Sequence, residues 1–469
     1  MIELTAFTAV FVAALCSQTI SLAGLVIVST VLQATAVFNI PIFEAGEKVI
    51  ASFGVTTAYG VSPYMLMASV AGLILLVRAM KERWIKVPKQ LHWPLGLLVG
   101  YAVVALVGAF VLPKWFDGLP VNLLVEMYGI FNTTPLHASL SNLAQALNLC
   151  MQLVVLLFLL QTGLRVDGPR DLAIGTAFAL ALVLCIGFYE QAAQMKSMPS
   201  LVPFLANNLG YSQAPIAGQL IWYRIGLPFT EPSYASAYLA STSLGLWAVA
   251  LLGYGWRWAW AAAIMSTAGL LNTLGATGMA AAGGGFIILV LWVLLNAFRP
   301  GTELSVRVRA AVMSGLLLLT LIWGYQVYQE STYKSKVDEM VSTLIIGKAK
   351  LKDGVREQSN KRAMEIVKET YGLGVGLGSN RASSFFASLV SNTGVLGALL
   401  FSGMLLTLLW RYFKAPKLTD MQIFVAASLP TATLAMGLGI PDLNLPMYWG
   451  FIFLGFVFCP EDANRSASS

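Results

Sequence analysis

The sequence predicts an all-α polytopic membrane protein that crosses the bilayer about twelve times, and three observations predict it. Hydrophobic residues make up 57% and charged residues only 11% of the 469 positions, too little polar surface to clothe a soluble fold of this size. Apolar runs of roughly 17–25 residues, the length that carries a helix across a ~30 Å hydrocarbon core, recur along almost the whole chain. The basic residues behind the formal charge of +7 fall in short clusters between those runs, which is the positive-inside pattern and not a nucleic-acid-binding surface.

By their flanks, the runs fall near 6–37, 62–79, 92–112, 141–162, 171–190, 232–253, 257–274, 277–297, 309–326, 384–410, 420–438 and 444–459. The first is long enough for two short helices broken near Ser17-Gln18. The opening residues MIELTAFTAVFVAALCSQTI carry neither a basic n-region nor a small-residue cleavage site, so they read as a retained span and not a signal peptide. Residues 1–459 then form a single transmembrane domain, followed by a polar tail at 460–469. Cys16, Cys150, Cys185 and Cys459 lie within or at the ends of spans, without metal-ligand spacing, and read as small hydrophobes.

The clusters Arg78-Lys81-Arg83-Lys86-Lys89, Arg165-Arg170, Arg257, Arg299-Arg307-Arg309 and Arg411-Lys414-Lys417 occupy alternate connections, which predicts that these connections and both termini face the cytoplasm. The opposite face receives two long loops, 191–231 and 327–383. In the second, Val337, Met340, Val341, Leu344 and Ile345 recur at helical spacing, and Gly347 interrupts. Val355, Ser359, Arg362, Ala363, Ile366 and Val367 then predict another amphipathic helix lying on the membrane surface.

Chemistry concentrates at the end of that loop, where residues 371–397 read YGLGVGLGSNRASSFFASLVSNTGVLG. Glycines such as Gly376 and Gly378 let backbone approach a ligand closely, and with Ser379 they offer N–H groups to anionic oxygens. Arg381 adds a permanent charge and a forked donor suited to phosphate. Arg356, in GVREQSNKR, is a second candidate, and Arg362 a third among interspersed Glu357, Glu365 and Glu369, where charges also form weak solvated pairs. The other loop ends WYRIGLPFTEPSYASAYLA at 222–240. There Arg224 is either an anion contact or an interfacial anchor, and Glu231 a general base, an arginine-orienting carboxylate or a helix-end charge.

With only His92 and His137, and no HExxH or aspartate-rich signature, neither a metal nor another cofactor is expected. His137 has no obvious partner nearby in sequence. Glu190 and Asp442, at span ends, are functional or structural carboxylates. The triplet Gly283-Gly284-Gly285 reads as close helix packing and not as a phosphate loop.

Three segments together resemble the bacterial O-antigen and exopolysaccharide polymerase superfamily, which also contains the O-antigen ligases. They are RIGLPFTEPSYASAYL at 224–239, NTLGATGMAAAGGGFIILVL at 272–291 and GLGVGLGSNRASSFFASLVSNTGVLG at 372–397, in that order, so the likeness covers about residues 220–459. The resemblance implies a GT-C-like enzyme of the bacterial inner membrane, active on its outer face, using polyprenyl-pyrophosphate-linked oligosaccharides and no nucleotide sugar or metal. It also implies a membrane-lipid environment and a protein partner that sets chain length. Arg224 would be the first-loop arginine, Arg356 and Arg381 the second-loop ones, and Glu231 the carboxylate that orients an arginine or accepts the acceptor hydroxyl's proton.

Two departures matter. Ligases often carry a His-Asn pair where this chain has Ser379-Asn380-Arg381, which favours polymerase over ligase. The Arg-x10-Gly spacing of some polymerases is not met by Arg362 with Gly372 or Gly374. A lipid-linked sugar flippase is the competing class, but the spans are almost free of charge, and transporters more often bury charge or pair broken helices.

Overall fold

The computed structural model describes residues 21–41, 58–81, 87–122, 132–196, 198–208, 225–253, 258–297, 308, 348–415 and 417–460. Eight of the described helices are long and apolar enough to cross a membrane. The expected span at 309–326, the amphipathic stretch at 337–345, Arg224 and the tail beyond residue 460 lie outside the described residues.

The expected run at 6–37 is described only from Ser21, where the Ser21 Oγ accepts from the Gly24 N–H at 3.3 Å and starts helix α1, Leu22–Ser29. This helix spans only about 12 Å and cannot cross the core alone. The apolar residues after it leave the helix instead of extending it to residue 37. They lead to strand β1 (Phe38–Pro41), paired antiparallel with β2 (Ala58–Val61). Gly24 of α1 meets Gly175 of helix α5 (Gly168–Lys196) backbone to backbone, since a Cβ on Gly175 would lie 2.5 Å from the Gly24 Cα.

Helices α2 (Pro63–Lys81), α3 (His92–Trp115) and α4 (Leu140–Gly163) follow, with β3 (Pro120–Asn122) and β4 (Thr133–Pro135) forming a second small ladder between α3 and α4. Along α3, Val99, Val103, Val107 and Phe110 form an apolar stripe that is 51–58% exposed, as expected of a lipid-facing surface. Helix α6 (Pro232–Leu252) is the hub, with 78% of its apolar window buried. It packs against α7 (Ala259–Thr273), α8 (Ala276–Ala297) and α11 (Asp420–Gly439). Close packing at the glycine triplet is realised at Gly285, where a Cβ would lie 2.3 Å from the Thr431 Oγ1 and 2.7 Å from the Leu244 Cδ1.

Helix α9 (Lys348–Glu369) buries Ser359, Ala363, Ile366 and Val367, the face its spacing predicted, against β3 and α10 (Phe385–Lys414). Helix α12 (Pro446–Val457) has only twelve residues, nearly all buried, with the Trp449 indole donating to the Leu443 carbonyl at 3.0 Å.

Helices α2 and α4 run parallel with matched ends, and so do α10 and α12. Arg78 of α2 donates to Gln161 of α4 at 3.4 Å, and the Tyr412 hydroxyl of α10 donates to the Gly455 carbonyl of α12 at 2.9 Å. The basic residues Arg78, Lys81, Arg165, Arg170, Arg411 and Lys414 thus gather at one end of the bundle. The β ladders, α9 and the starts of α2, α4, α6, α10 and α12 lie at the other.

Candidate functional site

The glycine-rich run is built by alternation. Gly372, Gly374, Gly376 and Gly378 have φ of 82°, 78°, 96° and 86°, in the left-handed region where a Cβ is strained. The run lies against a break in α10 at Gly394 (φ 71°), where a Cβ would sit 2.5 Å from the Gly372 and Leu373 carbonyls. Such irregular backbone is tolerated at membrane depth where protein buries it.

Of the amides expected to face an anion, those of Gly376 and Ser379 are used inside the protein. Val375 donates to the Ser391 carbonyl and Gly376 to the Asn392 carbonyl, both at 2.9 Å, while Gly374 donates to the Thr370 hydroxyl at 3.0 Å. Gly378 fits closely on α4, where the Ser141 hydroxyl donates to its carbonyl at 3.0 Å.

Asparagines hold the segment from Ser379 to Arg381, at the end of the run. Buried Asn392 accepts from the N–H groups of Ser379 (3.1 Å) and Asn380 (3.0 Å) on its Oδ1 and donates from Nδ2 to the Asn380 and Ser388 carbonyls, both at 2.7 Å. The Asn380 side chain accepts from the Asn122 N–H at 3.0 Å, and the Asn122 Nδ2 donates to the Arg381 carbonyl at 3.2 Å. The Ser379 hydroxyl accepts from the Asn142 Nδ2 at 2.8 Å. The backbone carrying Arg381 is therefore fixed from β3, α4 and α10, and its side chain remains exposed.

Arg381 lines a cavity of about 310 Å³ with Gly378 and Asn380, joined by Glu231 and Tyr234 of the α6 start, Asp442 between α11 and α12, and Ser141, Gln145 and Asn148 of α4. Segments far apart in sequence thus converge, at the bundle end away from the basic clusters. Glu231 is the N-cap of α6, and its Oε2 accepts from the Ser233 hydroxyl at 2.9 Å, a position the helix N-terminus favours for a carboxylate. Asp442 is half-buried. Loss of solvent pushes its carboxyl above the ordinary aspartate range, and the Asn444 N–H (3.1 Å) and the Arg381 charge work the other way.

The other candidates fall elsewhere. Arg356 is exposed on α9, with its Nη1 3.8 Å from where a Cβ on Gly439 would stand, over the end of α11 that leads into Asp442. Arg362 does not line the cavity. Its Nε and Nη2 donate to the Pro120 carbonyl at 3.0 and 2.8 Å, and it pairs with Glu369 at 2.7 Å and Glu365 at 3.2 Å. His137 does have a partner, Asp117, at 2.7 Å, though both are largely exposed. Glu190 accepts from the Ser200 hydroxyl and the Leu201 N–H at 2.7 and 2.8 Å, a structural arrangement. Among the described residues no cluster of three His, Cys, Asp or Glu side chains stands ready for a metal ion.

Sequence reasoning passed over the amides. Ser141, Asn142, Gln145, Asn148 and Gln152 recur at three- and four-residue spacing on α4, a polar stripe that was visible within an apolar span. Gln152 is buried, accepts from the Tyr64 hydroxyl and donates to the Asn444 carbonyl at 3.1 Å.

No family model matches the chain, and no curated protein matches it. The fold and the cavity define its class as a helical, polytopic membrane protein with a charged and amide-lined cavity at one end of the bundle.

Proposed function

We propose that the protein is a glycan polymerase, a glycosyltransferase of GT-C-like architecture with about twelve spans that elongates polyprenyl-pyrophosphate-linked oligosaccharides on the outer face of a bacterial inner membrane. One observation carries this reading: Arg381, Glu231 and Asp442 meet in a single cavity at the bundle end opposite the basic clusters. Positive-inside sidedness makes that end external, away from cytoplasmic nucleotides.

In the reaction, a hydroxyl oxygen of the acceptor sugar bonds to the anomeric carbon of the donor glycan as that carbon's bond to the pyrophosphate oxygen breaks. The electron pair leaves with the polyprenyl pyrophosphate, whose charge Arg381 stabilises, with Arg356 and Arg224 as the further arginines of the resemblance. The hydroxyl proton passes to a carboxylate. Asp442 suits that task, because burial raises its affinity for a proton, while the Glu231 carboxylate already accepts from the Ser233 hydroxyl at 2.9 Å. Glu231 then serves to orient the acceptor or an arginine.

The test is the full chain reconstituted in lipid vesicles with lipid-linked repeat units and a chelator. Products lengthening by whole repeats, with release of polyprenyl pyrophosphate, support the proposal. Transfer only to a lipid core oligosaccharide would make it a ligase, and movement across the bilayer without new bonds a transporter.

A further inference from the structure

We infer that the α4 wall of the cavity is a subsite for one neutral sugar residue, read by Gln145 and Asn148 of α4. This rests on the proposed reading of the charged side as a pyrophosphate site. Asn148 lies eight residues into α4, about 12 Å along its axis from the helix start. The polar side chains that α4 gives the cavity, those of Ser141, Gln145 and Asn148, are all neutral, so this wall is a poor site for the carrier's hydrocarbon tail and for a second anion, and a good one for hydroxyl groups.

Gln145 is aimed and only half used. Its Oε1 accepts from the Asn444 Nδ2 at 2.7 Å, and its stem packs so closely that a Cβ on Gly378 would lie 3.0 Å from the Gln145 Cγ. Among the described residues its Nε2 has no hydrogen-bond partner, which leaves two donors on a positioned, half-buried amide that lines the cavity. At about 310 Å³ the cavity is at the small end of ligand sites, of about 300–1,000 Å³. It encloses one sugar beside the pyrophosphate and leaves the rest of the glycan outside.

The experiment measures affinity of the full chain in nanodiscs for bare polyprenyl pyrophosphate and for the same carrier bearing one hexose, one N-acetylhexosamine or one hexuronic acid. The expected result is a neutral-sugar carrier bound at least about tenfold more tightly than the bare one, with no gain for the hexuronic acid. Gln145→Glu keeps the acceptor for Asn444 and loses the donor, and it should abolish the gain, read as the ratio of sugar-carrier to bare-carrier affinity within the same variant, so that any repulsion of the pyrophosphate by the added charge cancels. Asn148→Leu should reduce the gain as a second, independent change. Sugar carriers that bind no better than the bare one, or a gain that survives Gln145→Glu, would overturn the subsite. Arg381→Ala should weaken all four ligands; a sugar gain that tracks Gln145 with no effect of Arg381 would keep the subsite and remove the pyrophosphate reading instead.

Discussion

Asn392 grips Asn380 from both sides of its peptide, accepting from the Asn380 N–H at 3.0 Å and donating to the Asn380 carbonyl at 2.7 Å. Neither residue needs to touch a ligand to matter, because the next residue is Arg381. Asn392→Leu leaves the Asn380 N–H without its acceptor, a buried orphan costing about 1–3 kcal/mol, while the Ser379 N–H keeps the Gly376 carbonyl at 3.1 Å. The expected outcome is a lower thermal midpoint in detergent and loss of whatever Arg381 does, even in protein that remains folded and inserted.

Glycines of the run and of the α8 triplet should divide by backbone angle and by the space around them. Gly374→Ala places a Cβ 2.7 Å from the Gly394 N at a φ of 78°, and strain of this kind costs about 1–3 kcal/mol before the clash is counted. Gly283 faces open space inside α8, so Gly283→Ala should be neutral or stabilising by up to about 1 kcal/mol. Thermal unfolding of the two variants side by side checks the contrast.

Arg362 and Arg381 should separate by phenotype. Arg362 ties α9 to the Pro120 carbonyl and pairs within the helix with Glu369, whose carboxyl the Arg362 hydrogen bond holds below the ordinary glutamate range. Arg362→Ala should therefore loosen α9, seen as faster proteolysis or hydrogen exchange there, with chain elongation reduced only in proportion to folded protein. Arg381→Ala should leave α9 protected and abolish elongation.

Asp442 gives a pH signature. Its carboxyl titrates above the ordinary range, so the folded state holds the proton more tightly than the unfolded one, and stability falls as pH rises through the folded value. Asp442→Asn should flatten the dependence of the thermal midpoint on pH above the ordinary aspartate range and raise the midpoint at neutral pH. If Asp442 accepts the acceptor's proton, the same variant also loses the acidic limb of the pH–rate profile.

Eight of the expected spans were legible because lipid imposes length and apolarity on every crossing helix, and the inward face of α9 came from helical spacing. The break at Gly394 was not, since one more glycine in an apolar helix carries no mark of the φ that Gly372 and Leu373 require of it. The glycine run meets the cavity at Gly378, and its earlier glycines turn out to serve close backbone packing, with the amides of Gly374, Val375 and Gly376 spent inside the protein. Arg381, Glu231 and Asp442 were each visible as charges near span ends; only tertiary packing brings residues this far apart in sequence into one cavity. The stripe Ser141, Asn142, Gln145, Asn148 and Gln152 was readable at helical spacing, and it is the clearest signal that hydropathy alone averages away.

The most direct test of the central claim is a cryo-electron microscopy map of the full chain with polyprenyl pyrophosphate bound in a lipid nanodisc. The account predicts pyrophosphate density within hydrogen-bonding distance of the Arg381 guanidinium, in the cavity shared with Glu231 and Asp442. A carrier headgroup bound at another site, with that cavity unchanged from the ligand-free protein, would contradict it.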